Sequence, residues 1–117
     1  MLAPERLRQI EIAYGSSVQR IVLLEQDDEA LRLIIFLQDG ANLRITEQWS
    51  GSRLIRYSYY WLTAENGLII GWDNAPHHTH LVTFPHHKHV GQQSDLQPSQ
   101  ETNLDAVMAV ILSSASA

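Results

Sequence analysis

The sequence predicts an α+β domain, in which an antiparallel meander of about five strands carries a helix from each end of the chain and a histidine-rich loop follows strand five. Three observations lead to that class. Apolar residues recur at helical spacing only near the two ends. Between Gln19 and Asp73 short apolar or alternating runs are separated by Asp-, Asn- and Gly-containing turns, the signature of hairpins. All six histidines then fall between residues 77 and 89, and Pro76 and Pro85 deny that stretch a helix or a central strand.

Each element follows in order. Pro4 opens a segment with apolar residues at 7, 10 and 14, which predicts a helix ending at Gly15 and covering a sheet. Ile21 to Leu24 form a first strand, Asp27-Asp28-Glu29 a turn, and Leu31 to Leu37 a second strand, closed by Asp39-Gly40. In the third, Leu43, Ile45, Glu47 and Trp49 alternate with Arg44, Thr46 and Gln48, as on a half-buried strand. After Ser50-Gly51-Ser52 the fourth runs from Arg53 to Leu62. Ile55, Tyr57, Tyr59 and Trp61 occupy one of its faces and Leu54, Arg56, Ser58, Tyr60 and Leu62 the other. Bulky groups on both faces place it centrally. Glu65-Asn66-Gly67 turns into Leu68 to Trp72, the fifth strand. Lys88 to Val90 are expected to add at most a short edge strand, and Gln92 to Ser99 to be irregular. Thr102 and Asp105 match a capping pair ahead of a last helix whose core face is Leu104, Val107, Met108 and Ile111, with fraying expected from Ser113.

A chain of 117 residues is expected to form a single domain spanning 1–117. Without cysteine it has no disulfide and no thiolate metal site, so any ion would be held by imidazole nitrogen and carboxylate oxygen. No secretory signal or membrane span is evident, and a cytoplasmic location is expected. The net charge of −5 argues against nucleic-acid binding by bulk electrostatics. Arg44, Arg53 and Arg56 nonetheless lie on neighbouring segments, where they would make a local cationic patch. A charged fraction of only 18% is consistent with a further surface buried in a homodimer or complex.

Histidine is the side chain that serves as acid, base or neutral metal ligand near neutral pH, so its concentration marks the candidate site. Asp73, at the end of the fifth strand, is positioned to orient an imidazole, to ligate a metal or to accept turn hydrogen bonds with Asn74. In extended backbone His77 and His78 point apart, as do His86 and His87, so one member of each pair belongs to the site. Three chemistries stay open. In the leading one no cofactor is needed: His86 or His87 acts as base, His77 or His78 as acid, and Lys88 neutralises phosphate charge during cleavage of an RNA phosphodiester. Arg44, Arg56, Tyr57, Tyr59, His89 and Asn74 would then contact the substrate. In the second, Asp73, His78, His87 and His89 hold a divalent metal for a nuclease or hydrolase, although the spacing fits no standard zinc module. In the third, the loop and the aromatics form a non-enzymatic protein-binding surface.

Tyr57-Ser58-Tyr59 with Trp61, then Trp72 to His78, then Thr83 to Gly91, followed by Gln97-Pro98-Ser99 and Leu104 to Val107, resemble the TumE family of small toxin–antitoxin proteins. The resemblance covers about the last two-thirds of the chain, and it implies a prokaryotic toxin component, presumed to be a ribonuclease, with a helix-turn-helix antitoxin as partner. Asp73, Asn74, His77, His78, His86, His87, Lys88 and His89, with Tyr57, Tyr59 and Trp61, are the matched residues. His80 lies in a departing spacer, Thr79-His80-Leu81, and is left out.

Overall fold

The computed structural model describes residues 1–115. Helix α1 spans Ala3–Tyr14, with Pro4 in its first turn, and buries Ile10 while Leu7 and Tyr14 pack at the border of the core. Strands β1 (Arg20–Gln26), β2 (Ala30–Phe36), β3 (Asn42–Ser50), β4 (Arg53–Leu62) and β5 (Leu68–Asp73) follow as a meander. The β2–β3 hairpin turns at Gly40, whose φ of 91° is the left-handed conformation that the Asp-Gly pair suggests.

The sheet does not stop at five strands. His87–Val90 form β6 and Leu96–Pro98 form β7, giving a seven-stranded antiparallel sheet in the order β1-β2-β3-β4-β5-β6-β7 with β4 at its centre. The expected edge strand at residues 88–90 is therefore an interior one, and part of the expected irregular segment supplies the edge. Neither piece carries the apolar alternation that signals a strand, and Pro98 is tolerated because an edge strand has backbone positions with no hydrogen-bond partner.

Directly paired residues of antiparallel strands share a face, so the register divides the sheet into two. On one face Leu31, Leu33, Ile35, Leu43, Ile45, Tyr57, Tyr59 and Trp72 meet the buried residues of the two helices. Helix α2 (Leu104–Ala115) contributes Leu104, Val107, Met108 and Ile111, each as buried as expected. Burying each such aliphatic side chain stabilises the fold by roughly 1.5–3 kcal/mol before chain entropy is counted. The helix cap is Asn103 rather than Thr102, since Asn103 Oδ1 accepts the Ala106 N–H at 2.9 Å. The helix runs past Ser113: Ser113 and Ser114 donate their hydroxyls back to the Ala109 and Val110 carbonyls, and helix continues to Ala115. The rest of the expected frayed end lies outside the described residues.

The opposite face carries Arg44, Thr46 and Gln48 on β3 and Arg56, Ser58 and Tyr60 on β4, with no helix over them. A bulge separates the two halves of the β3–β4 ladder, where Gln48 pairs with Arg56 but Trp49 pairs with Leu54, leaving Ile55 unpaired. Ile55 is thus exposed and does not share the covered face with Tyr57, as simple alternation predicts. Among the described residues no helix is long and apolar enough to cross a membrane.

Candidate functional site

Strand β5 ends at Asp73, and residues 74–86 loop back to return the chain as β6. The loop is held by short-range backbone bonds, including Leu81 N–H to His78 O and His86 N–H to Thr83 O. It is tied to β7 through Thr83, whose Oγ1 donates to His86 O and accepts the Ser99 N–H. At its start Asn74 is buried and acts as a plug. Its Oδ1 accepts the Tyr57 N–H at 2.9 Å and its Nδ2 donates to Ile55 O at 3.2 Å, pairing the β4 backbone beside the bulge where β5 has ended. Both polar atoms of the Asn74 side chain are thereby engaged with the β4 backbone.

The β5–β6 register decides which histidines meet Asp73. Asp73 pairs with His87 and Gly71 with His89, so both imidazoles lie on the same face as the Asp73 carboxylate, the one without helices. His87 Nε2 stands 2.8 Å from Asp73 Oδ1 and His89 Nε2 3.6 Å from Oδ2. The rings are nearly fully buried, at 2% and 9% exposure, and cross edge-to-face with centroids 5.2 Å apart. Each ring places its other nitrogen on a backbone carbonyl, His87 Nδ1 on Pro85 O at 3.1 Å and His89 Nδ1 on Gln93 O at 2.8 Å. Asp73 also accepts the Ala75 N–H at Oδ1 and the Tyr60 hydroxyl at Oδ2. One ligand atom from each of Asp73, His87 and His89 falls within 4.8 Å of the others, a set able to hold a metal ion.

His78 reaches the same centre from the loop, with its ring edge-on to His87 at 4.8 Å and to His89 at 6.3 Å between centroids. Desolvation, and then the neighbouring imidazoles led by His87, lower its pKa, so it is neutral and able to accept a proton near pH 7. His77 and His80 stay exposed at the loop surface.

Several residues expected at the site lie elsewhere, for one geometric reason: alternation along a strand sends neighbours to opposite faces. His86 parts from His87 and stacks on Tyr57, its Nδ1 2.9 Å from the Tyr57 hydroxyl, and burial lowers its pKa. Lys88, between the two site histidines, pairs with Trp72 on the covered face, where its Nζ donates to Glu101 Oε1 at 3.2 Å. Tyr57 and Tyr59 are buried on the helix-covered face. Arg56 does face the centre's side of the sheet, where it lines a groove of about 490 Å³ with Thr46, Gln48, Ser58 and Asp73. Arg44 is exposed on that face two positions along β3 from Thr46.

Tyr60 is the contributor that sequence reasoning did not assign. Its ring lies flat on Gly71, where a Cβ would fall 1.8 and 2.0 Å from ring atoms, and only that absence lets the hydroxyl reach Asp73. Burial first, and the Asp73 charge second, raise its pKa and keep it a donor. A glycine within a strand, opposite an aromatic in the next, is the signal that would have found it. A comparison with family models matches residues 5–114 to the model described as Toxin TumE. Comparisons with curated proteins and with solved structures gave no match.

Proposed function

The chain belongs to the TumE toxin family, and on that premise we propose that it is the toxin component of a toxin–antitoxin pair and cleaves the phosphodiester backbone of RNA. The observation that carries this reading is the convergence of Asp73, His87, His89 and His78 beside a groove on the face of the sheet that the helices leave open. A groove with convergent polar groups at its edge is the default place to look for a binding or reaction site. Arg56 in the groove wall and Arg44 beyond it supply cations for phosphate, local contacts that do not require a basic protein. His78 is the imidazole placed to exchange a proton with a bound substrate, while His87, the member of its pair that meets Asp73, belongs to the buried cluster beside it.

A helix-turn-helix antitoxin is the proposed partner, neutralising the protein by covering the same face. Val82 and Phe84, exposed on the loop beside the centre, offer it an apolar hold. The test is incubation of purified protein with end-labelled single-stranded RNA, alongside growth after induced expression. Cleavage and growth arrest are expected for the parent chain and for His86→Ala, and loss of both for Asp73→Asn and His87→Ala variants that remain folded. An intact RNA and normal growth with the parent chain would end this reading.

A further inference from the structure

The geometry points to a resident site for one zinc-class divalent ion, with Asp73, His87 and His89 as its three ligands and Tyr60, laid over Gly71, as the outer hydroxyl that orients Asp73. A carbonyl oxygen only accepts hydrogen bonds, so the contacts to Pro85 O and Gln93 O fix a proton on Nδ1 of both rings. In the neutral rings that leaves the two Nε2 lone pairs aimed at a carboxylate, an arrangement repulsive among its three members. A single proton on His87 Nε2 would satisfy the 2.8 Å contact to Asp73 Oδ1 and still leave the His89 Nε2 lone pair facing Oδ2 at 3.6 Å, and protons on both would set two cationic rings 5.2 Å apart. One cation shared by the three donors satisfies all of them at once.

The surroundings are those of a metal centre. Histidine ligands characteristically donate their second ring N–H to a backbone carbonyl or carboxylate, and ligating carboxylates are themselves hydrogen-bonded, as Asp73 is by Ala75 and Tyr60. Zinc bonds of about 2.0–2.1 Å place neighbouring tetrahedral donors roughly 3.3 Å apart; here one donor atom from each of the three residues lies within 4.8 Å of the others, with His87 Nε2 2.8 Å from Asp73 Oδ1 and His89 Nε2 3.6 Å from Oδ2, so a small closure of the side chains would complete the set. Two imidazoles among three donors favour a transition-type ion over magnesium or calcium. Three protein ligands would leave a coordination position for solvent or substrate, the pattern of catalytic rather than structural sites, and His78 lies edge-on to His87 next to the set. The ion's part in RNA cleavage rests on the function proposed above, whereas its binding does not.

EDTA-treated protein titrated calorimetrically with Zn2+, Co2+ and Mg2+ tests the site, with the visible spectrum of bound Co2+ as a second readout. One Zn2+ or Co2+ per chain and much weaker Mg2+ uptake are expected. The His77→Ala/His80→Ala double variant, lacking the exposed loop imidazoles, is expected to keep both affinity and spectrum. Asp73→Asn and His87→Ala are expected to weaken Zn2+ by upward of about 100-fold, and Tyr60→Phe by about 10-fold. Circular dichroism establishes folding, and Asp73→Asn serves alone if His87→Ala unfolds. No uptake by the parent chain, uptake unchanged in Asp73→Asn, or uptake lost only in the double variant would overturn the assignment. RNA cleavage indifferent to EDTA would remove the ion and leave the nuclease, whereas a bound ion without cleavage would do the reverse.

Discussion

Glu47 is the most exacting test of how the covered face is held together. Its carboxylate on β3 is fully buried and receives Arg6 of α1 through two bonds, Nε to Oε1 at 2.7 Å and Nη2 to Oε2 at 3.0 Å. Trp49 Nε1 adds a third donor at 3.0 Å and the Tyr59 hydroxyl a fourth at 2.6 Å. Burial works against the Arg6 charge, but the Glu47 hydrogen bond and charge more than offset it and raise its pKa, so the guanidinium stays ionised. Glu47→Gln keeps the shape and removes the counter-charge. It also replaces an oxygen that accepts from two donors by an amide nitrogen that accepts from none. Arg6, with 14% of its side chain exposed, is then left a mostly buried cation without its carboxylate counter-ion, which costs about 3–5 kcal/mol. For 117 residues the entropy of unfolding is about 0.25 kcal/mol per degree, so the melting temperature should fall by roughly 12–20 °C. Differential scanning calorimetry reads this directly. A fall of less than about 4 °C would show that solvent reaches the network and that α1 is not fastened to the sheet by a desolvated ion pair.

Gly71→Ala should drive the Tyr60 ring off the sheet and destabilise the protein by about 1–3 kcal/mol, with much of that loss recovered in Gly71→Ala/Tyr60→Ala. Additive losses in denaturant titrations would refute the contact. At high pH, Tyr57 and Tyr59 should resist ionisation. Burial first raises both pKa values, reinforced at Tyr57 by the Asp73 and Glu101 charges and at Tyr59 by the Glu47 charge and hydrogen bond. Because unfolded tyrosine ionises near pH ~10, the stability they contribute is complete below that pH and drains above it, by about 1.4 kcal/mol per unit for each ring. Ultraviolet titration should therefore show tyrosinate appearing together with unfolding, and smooth ionisation of both rings at pH ~10 in folded protein would contradict their burial.

The site was legible in kind but not in membership. Asp73 at a strand end, the histidine stretch after it and the parting of His86 from His87 all follow from residue chemistry and the two-residue period of extended backbone. Which histidine of a pair turns toward Asp73 depends on the β5–β6 register, and that is set by hydrogen bonds between segments whose side chains announce no strand. Lys88 was grouped with its neighbours in sequence although parity sends it to Glu101. On β4 both faces are bulky, so pattern alone could not tell that Tyr57 and Tyr59 belong to the core while Tyr60 serves the open side. The bulge at Ile55 is likewise invisible to alternation. The core helices and hairpin turns were easier because each is specified locally, by a period, a cap or an Asp-Gly pair.

Every strand of this sheet pairs with its immediate neighbours along the chain, which has a consequence for the order of assembly during synthesis. Nascent chains fold from the amino-terminal side as they lengthen, and hairpins need no distant partner to begin. Asp73 is therefore in place early, at the rim of five strands, without its imidazoles. His87 and His89 arrive with the sixth strand, and the carbonyl that seats His89 belongs to Gln93, just before the seventh. The three residues of the cluster thus come together only when β6 has paired with β5 and the turn at Gln93 has formed, so a chain that lacks β6 holds Asp73 without either imidazole.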